Sequence, residues 1–81
     1  MINQSVTVGS NFDSSEVMKL VQKATEFKSH ISLVLNEKTA NAKSIMGIIS
    51  LNLKTGTDIS IMANGEDEEH VVPALRHLIG A

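Results

Sequence analysis

Hydrophobic and polar residues alternate along three stretches of this sequence, with the period of a β-strand that buries one face. The first is "INQSVTV", the second is "HISLVL", and the third lies between the turn-forming segments "KTGT" and "NGEDEE". A fourth, shorter strand is expected near Thr39–Ala42, after the turn "NEK". The hydrophobic positions of the three long strands are Ile2, Val6 and Val8, then Ile31, Leu33 and Leu35, and finally Ile59, Ile61 and Ala63.

Three other segments repeat their hydrophobic residues every three or four positions, as amphipathic helices do. The clearest follows "NFDSSEV", whereas the second, "SIMGIISLNL", is short and is weakened by Gly47 because glycine lowers helix stability. The third begins in the acidic segment "EDEE", which suits a helix N-terminus. The stripes are Val17, Leu20, Val21, Ala24 and Phe27 in the first helix, and Val71, Leu75 and Leu78 in the last.

These elements follow one another in the order β-α-β-β-α-β-α, with a hairpin in the middle. Four antiparallel strands covered on one face by three helices make an α+β open-faced sandwich. Pro73 conflicts with the last helix, because proline removes a backbone hydrogen bond and clashes with the preceding turn. We therefore expect the last helix either to kink at Pro73 or to begin late.

The composition narrows the class of protein. The 81 residues, 42% of them hydrophobic, suffice for a single domain over residues 1–81, and no cysteine is present for disulfides or thiolate metal sites. We expect neither a metal nor a cofactor.

No apolar run approaches the roughly 18 residues of a membrane span, and the first ten residues do not resemble a signal peptide, so a cytoplasmic protein without membrane contact is expected. A net charge of −2 and only two aromatic residues argue against direct nucleic-acid binding.

The segment "NFDSSEVMK" contains the residues of a capped helix start. Asp13 is expected at the N-cap with Glu16 three positions later, the spacing of a capping box, and Phe12 and Val17 stand at the positions of a hydrophobic staple. The alternative is that Asp13 accepts a phosphoryl group. Such chemistry ordinarily uses an acidic cluster that holds a divalent cation, and only Glu16 lies nearby. The residues favour a structural cap.

The segment "NAKSIMGIISL" offers a second helix start, with Ser44 as N-cap and the amide of Met46 or Gly47 as its partner. A phosphate on the Ser44 hydroxyl would add about −1.5 to −2 charges at pH 7. It would lie at the positive end of the helix dipole, where an anion is stabilised by about 0.3–1 kcal/mol. Most serines at helix starts are only caps, so both roles remain open at this point.

The residues that follow Ser44 are more hydrophobic than one face of a two-turn helix can bury. Either all of them belong to the core, or some remain exposed and form a docking surface beside the serine. Methionine suits such a surface because it is flexible and polarizable. The hydrophobic residues in question are Ile45, Met46, Ile48, Ile49, Leu51 and Leu53.

The stretch from Lys43 to Leu51 closely resembles the regulatory-serine segment of the histidine-containing phosphocarrier protein (HPr) family of the bacterial sugar phosphotransferase system. The resemblance extends without gaps from Leu20 to His70 and covers most of the chain. It implies the HPr-like open-faced sandwich, the same β-α-β-β-α-β-α order that the periodicity predicts.

The resemblance implies that the carrier function of the family is lost. When the chain is aligned with the family without gaps, Asp13 occupies the phosphohistidine position, Ser15 the arginine position and Glu16 the proline position. A carboxylate does not replace the imidazole nitrogen that forms a phosphoramidate, and a serine does not supply a guanidinium to hold the phosphate. The histidines of this chain stand elsewhere and are interpreted as ordinary surface or partly buried residues; they are His30, His70 and His77.

The resemblance also implies that the regulatory function is kept. Ser44 matches the serine that the HPr kinase/phosphorylase phosphorylates, and Ile45, Met46 and Gly47 around it are intact. An intact serine segment beside an absent carrier histidine is similar to the Crh group of the family. In that group the seryl-phosphorylated form is a partner of a LacI-type catabolite control protein.

We therefore expect a regulatory phosphoprotein of carbon catabolite control rather than an enzyme. Ser44 is the expected phosphorylation site. Two alternatives remain. One is a phosphoryl carrier of the phosphoenolpyruvate-dependent phosphotransferase system, acting through Asp13 or through a histidine elsewhere in the chain. The other is an HPr-like paralogue that binds partners without modification. The expected partner-binding residues are Lys43, Ile45, Met46, Gly47 and Ile49.

Overall fold

The computed structural model describes residues 1–80, and within them four strands and three helices follow the expected order. The α+β class and the β-α-β-β-α-β-α succession predicted from the sequence are therefore confirmed. The elements are β1 (Ile2–Thr7), α1 (Ser14–Thr25), β2 (His30–Leu35), β3 (Lys38–Asn41), α2 (Ile45–Leu51), β4 (Asp58–Asn64) and α3 (Glu68–Ile79).

The strands form one sheet in the order β1-β4-β2-β3, and every neighbouring pair is antiparallel. The hydrophobic sides of the strands meet in register, since Val6 pairs with Ile59, and Leu33 pairs with both Ile61 and Ala40. All five of these residues are buried. The alternation seen in the sequence thus identifies the face of the sheet on which the three helices pack.

The strand β3 lies one residue earlier than the interval Thr39–Ala42 that the sequence indicates. The reason is a tight hairpin, in which Leu35 pairs with Lys38 and only Asn36 and Glu37 form the loop. Asn36 has a φ of 54°, a left-handed conformation that asparagine tolerates better than most residues. The turn prediction was right, but its length was one residue too long.

The helix α1 packs on the sheet through the stripe that its spacing predicts. Leu20 and Ala24 are completely buried, and Phe27 lies beyond the end of the helix, partly buried against the core. The Leu20 side chain alone contributes on the order of 2–5 kcal/mol, the usual cost of truncating a buried leucine to alanine. The buried residues of the helix are Val17, Leu20, Val21 and Ala24.

Of the two outcomes expected for the last helix, a kink at Pro73 or a late start, the late start is wrong. The helix α3 starts at Glu68, so Pro73 lies inside it. Proline costs one backbone hydrogen bond there, and packing of the buried stripe compensates because most helix stability in proteins comes from such packing. Leu78, expected in the stripe, is only half-buried. The buried residues are Val71, Val72, Leu75 and Ile79.

The residue that precedes α3 holds the turn that follows α1. The Asp67 carboxylate accepts hydrogen bonds from the amide of Lys28 at 2.8 Å, from the amide of Ser29 at 2.9 Å and from the buried Ser29 hydroxyl. These bonds, that of the Ser29 hydroxyl first, lower the pKa of Asp67 from 3.8 to about 2. Because the pKa is lower in the folded state, the stabilisation is present above pH 3.8 and is lost as the pH falls towards 2.

Candidate functional site

The start of α1 is capped by Asp13, as the sequence predicts. Asp13 has an extended backbone, and its Oδ1 accepts a hydrogen bond from the Glu16 amide at 3.0 Å. The Val17 amide donates to the Asp13 carbonyl at 3.0 Å and begins the helical hydrogen-bond pattern. Among residues 1–80 no bond returns from the Asp13 amide to the Glu16 carboxylate, so only one half of the capping box forms.

The same segment lines a groove of about 180 Å³ between α1 and α2. The Phe12 amide donates to the Leu53 carbonyl at 3.0 Å, which fixes the start of α1 against the end of α2. Asp13 is exposed at this groove, and no basic side chain is found among the described residues that line it. The lining residues are Phe12, Asp13, Ser14, Val17, Ile48, Ile49, Asn52 and Leu53.

The start of α2 is capped by Ser44, whose Oγ accepts a hydrogen bond from the Gly47 amide at 3.1 Å. Of the two amides considered from the sequence, Gly47 is therefore the partner. Ser44 is half-buried as a residue, and the hydrogen bond of its hydroxyl is partly buried. Asn41 fixes the approach to the helix, since its carbonyl accepts from the Ser44 amide at 3.0 Å and its Oδ1 accepts from the Lys43 amide at 2.9 Å.

Gly47 leaves space beside the Ser44 hydroxyl. A Cβ atom at position 47 would lie 3.3 Å from Ser44 Oγ, closer than most side-chain contacts, and 3.5 Å from the Cβ of Ala40, an ordinary van der Waals distance. Glycine inside a helix costs about 0.8–1.0 kcal/mol relative to alanine. In α2 this cost accompanies the close approach of the helix to Ser44 and Ala40.

The hydrophobic residues of α2 divide into a buried and an exposed group. The interpretation in which all of them are core is wrong, and the exposed surface considered as its alternative is present. We call Ile45, Met46 and Ile49 the α2 patch, because their exposed fractions are 41%, 76% and 48%. The patch begins at the residue after Ser44. The buried group is Ile48, Leu51 and Leu53.

Three features of this region were not recognised in the sequence. Met18 on α1 is 45% exposed, and its position off the buried stripe could have indicated this. The Lys43 ammonium donates to the Phe27 carbonyl at 2.7 Å, and Asp67 binds the turn after α1 instead of its own helix. The last two contacts join residues 16 or more positions apart in the sequence, so no local sequence pattern predicts them.

The two capped starts lie at opposite ends of α2. The start of α1 meets the end of α2 through Phe12 and Leu53, whereas the bond from Lys43 to Phe27 joins the start of α2 to the segment after α1. With 1.5 Å of rise per residue, the seven residues of α2 separate the two ends by roughly 10 Å. Asp13 and Ser44 are therefore two distinct sites on one surface.

The three histidines lie away from both sites. His30 begins β2, while His70 and His77 belong to α3, and all three are exposed. In the part of the chain that the structure describes, no group of three or more histidine, aspartate or glutamate side chains is placed to hold a metal ion. None of the helices described is both long enough and apolar enough to cross a membrane.

The fold and the serine segment together define the class as an HPr-like protein, an open-faced sandwich with a capping serine at the start of its second helix. A family model described as the "PTS HPr component phosphorylation site" matches residues 5–81. The chain therefore belongs to the HPr family.

Individual relatives include proteins named phosphocarrier protein HPr and one named HPr-like protein Crh. The chain is 38% identical over 77 residues to the HPr-like protein Crh of Bacillus subtilis, covering 93% of this chain and 91% of that protein. It is 40% identical over 57 residues to the phosphocarrier protein HPr of Mycoplasma capricolum, covering 70% of this chain and 64% of that protein. The crystal structure of HPr from Bacillus anthracis superposes with a TM-score of 0.92 at 35% identity, covering 96% of this chain and 95% of that one.

Proposed function

We propose that the protein is a regulatory phosphoprotein of carbon catabolite control, without catalytic activity of its own, in which Ser44 is the phosphorylated residue. An HPr kinase/phosphorylase transfers the γ-phosphoryl group of ATP to Ser44 Oγ and releases ADP, and the hydroxyl proton passes to a base of the kinase. The phosphorylated protein then docks on a LacI-type catabolite control protein.

The observation that supports this proposal most directly is the position of the Ser44 hydroxyl. It caps the start of α2 on a residue that is not fully buried, and the α2 patch begins at the next residue. A kinase can reach this oxygen without unfolding the domain. Phosphorylation adds about −1.5 to −2 charges beside an apolar surface, so the modification changes the electrostatic character of that surface without altering its shape.

The docking surface consists of the α2 patch together with Lys43 and Gly47. Exposed side chains of intermediate size, such as Ile45 and Met46, are suited to fill pockets on a partner, and methionine adapts to more than one pocket. Gly47 keeps the helix close to the serine hydroxyl. Lys43 contributes positive charge next to the modified residue.

A phosphoryl carrier is the second candidate function, because relatives of this chain bear the name phosphocarrier protein and Asp13 is exposed at its groove. Two observations weigh against it. Oδ1 of Asp13 accepts a hydrogen bond from the Glu16 amide, and none of the described residues that line the groove is basic and able to bind an incoming phosphate. A third candidate, partner binding without modification, requires only the α2 patch.

The proposal is tested by incubating the protein with HPr kinase/phosphorylase and ATP and measuring its mass. One added phosphate is expected on the wild type and none on Ser44→Ala. Ser50→Ala is the matched control, because Ser50 is an exposed serine of the same helix whose Oγ donates to the Gly47 carbonyl at 2.6 Å. It should be phosphorylated like the wild type. An unmodified wild type, or equal labelling of Ser44→Ala, contradicts the proposal.

A parallel incubation with phosphoenolpyruvate and enzyme I distinguishes the other two functions. Phosphate located on Asp13 or on a histidine by peptide mass spectrometry would support the carrier. Binding of the kinase or the catabolite control protein with equal affinity before and after phosphorylation would support the unmodified paralogue.

A further inference from the structure

Lys43 connects the start of α2 to the segment that follows α1. Its ammonium donates to the Phe27 carbonyl at 2.7 Å, and its side chain is half-buried. The backbone of the same residue is fixed separately by Asn41, which accepts from the amides of Lys43 and Ser44 at 2.9 and 3.0 Å. The ammonium can therefore change partner while the backbone around Ser44 stays in place.

The segment on the other side of this bond is the α1–β2 turn, residues 26–29. Locally, the amides of Glu26 and Phe27 donate to the carbonyls of Lys23 and Ala24. Distant segments hold the turn at two further points: Lys43 binds the Phe27 carbonyl, and Asp67 binds the amides of Lys28 and Ser29. Close packing supports the second point, because a Cβ at Gly65 would lie only 2.6 Å from the Cα of Ser29. The Lys43 bond is the one of the two that depends on a flexible side chain.

We propose that Lys43 is a positioning residue that couples the phosphorylation state of Ser44 to the α1–β2 turn. This inference rests on the proposed function in one respect, namely that Ser44 receives a phosphate. Before phosphorylation the Lys43 ammonium holds the Phe27 carbonyl. After phosphorylation it turns to the phosphate, and Asp67 is then the side chain from a distant segment that still binds the turn.

The change of partner follows from the charges involved. A backbone carbonyl is a neutral acceptor, whereas a phosphoserine on the adjacent residue presents three acceptor oxygens and close to two negative charges. The bond from the Lys43 ammonium to the Phe27 carbonyl already has an ionised donor. A phosphate acceptor adds the Coulomb attraction between opposite charges, which the neutral carbonyl does not offer. Lys43 and Ser44 are neighbours in the chain, and the flexible four-carbon stem of lysine lets its ammonium take another rotamer directed at the phosphate.

The experiment introduces phosphoserine at position 44 during synthesis, so that its result does not depend on any kinase. The carbonyl carbon resonance of Phe27 is compared by NMR in the protein with serine and with phosphoserine. Phosphorylation should move this resonance towards its position in unphosphorylated Lys43→Met, in which the bond is absent. Hydrogen exchange at amides 27–29 should become roughly fivefold faster, as expected for the loss of one hydrogen bond of average strength.

The controls separate coupling from a purely structural role. In Lys43→Met, phosphoserine at position 44 should leave the Phe27 resonance unchanged, and Lys43→Arg should restore the response. Lys28→Met removes an exposed lysine of the same turn and should respond like the wild type. A Phe27 resonance that phosphoserine does not move in the wild type, or that it moves equally in Lys43→Met, overturns the inference. The two proposals can also fail separately. If the kinase does not phosphorylate the wild type, but synthetic phosphoserine at position 44 still moves the Phe27 resonance in a Lys43-dependent way, the proposed function is refuted and the coupling through Lys43 stands.

Discussion

The starts of α1 and α2 have almost the same local geometry and opposite surroundings. In each, a side-chain oxygen of an extended N-cap residue accepts from the amide three positions later, at 3.0 Å for Asp13 and 3.1 Å for Ser44. Asp13 is a carboxylate beside a groove that Ile49 of the α2 patch also lines, and none of the described lining residues is basic. Ser44 is a neutral hydroxyl followed directly by the exposed side chains of Ile45 and Met46. Capping geometry alone therefore does not identify a functional site.

The neighbours of each cap make the difference. A neutral hydroxyl can gain charge by phosphorylation. When an apolar surface lies next to it, the added charge can change the affinity of a partner that binds this surface. At Asp13 none of the described residues that line the groove is basic, and this is why we propose Ser44 rather than Asp13 as the phosphorylated residue. Three predictions test how far this contrast extends, beginning with the largest expected effect.

The largest effect is expected from rebuilding the carrier residues at the start of α1. Asp13→His, Ser15→Arg and Glu16→Pro together supply the imidazole, the guanidinium and the proline that the family resemblance assigns to these positions. Proline is tolerated in the first helical turn, and the Glu16 amide loses its partner in any case when Asp13 is replaced. We expect a change from no label to full labelling with phosphoenolpyruvate and enzyme I, measured by intact mass.

The rebuilt protein also shows whether the two sites are independent. Adding Ser44→Ala to the triple variant should leave the new labelling intact, because the two starts lie at opposite ends of α2. If the triple variant is folded by circular dichroism and remains unlabelled, the α1 start differs from a carrier site in its backbone as well as in its side chains.

The second prediction concerns the α2 patch. Met46→Asp places a charge at the most exposed of its side chains and should weaken binding to the kinase roughly 10- to 100-fold, the range of a central interface residue. Its thermal stability should be close to that of the wild type, because the side chain is 76% exposed. Isothermal titration measures the affinity, and thermal unfolding measures the stability.

A charge placed elsewhere is the control for this second prediction. Thr39→Asp adds the same charge at an exposed position of β3, outside the patch, and should leave the affinity unchanged. Equal weakening by both substitutions would mean that net charge rather than the patch controls binding, and the contrast between the two helix starts would lose its physical basis.

The sequence predicted those features that depend on short-range periodicity. The inward residues of the strands and the stripe of α1 followed from alternation and from helical spacing, because burial on one face imposes those periods. Both N-caps followed from the preference of aspartate and serine for that position. Even the excess of hydrophobic residues after Ser44 was visible, since a two-turn helix has a limited buried face.

The remaining features depend on contacts between distant segments, which no local pattern encodes. The division of the α2 residues into buried and exposed groups required the position of α2 relative to β3 and α1. The start of α3 at Glu68 was obscured by Pro73, because local propensity opposes a helix there and tertiary packing overrides it. The bonds of Lys43 and Asp67 to the α1–β2 turn likewise appear only when the helix ends meet.

The smallest effect is expected from removing the two caps, and it isolates their structural contribution. Asp13→Ala and Ser44→Ala should each lower the free energy of unfolding by about 1 kcal/mol, within the 0.5–2 kcal/mol typical of N-caps, measured by urea denaturation. Ser50→Ala is the control, with an expected change below about 0.5 kcal/mol, because the residue is exposed and does not cap the helix. Since the two cap bonds differ by only 0.1 Å, similar losses would establish that the caps are structurally equivalent and that any difference in phosphorylation arises from their surroundings. A Ser44→Ala protein as stable as the wild type would instead mean that the hydroxyl is not held by the Gly47 amide in solution, and the oxygen that a kinase must find would then lack a defined position.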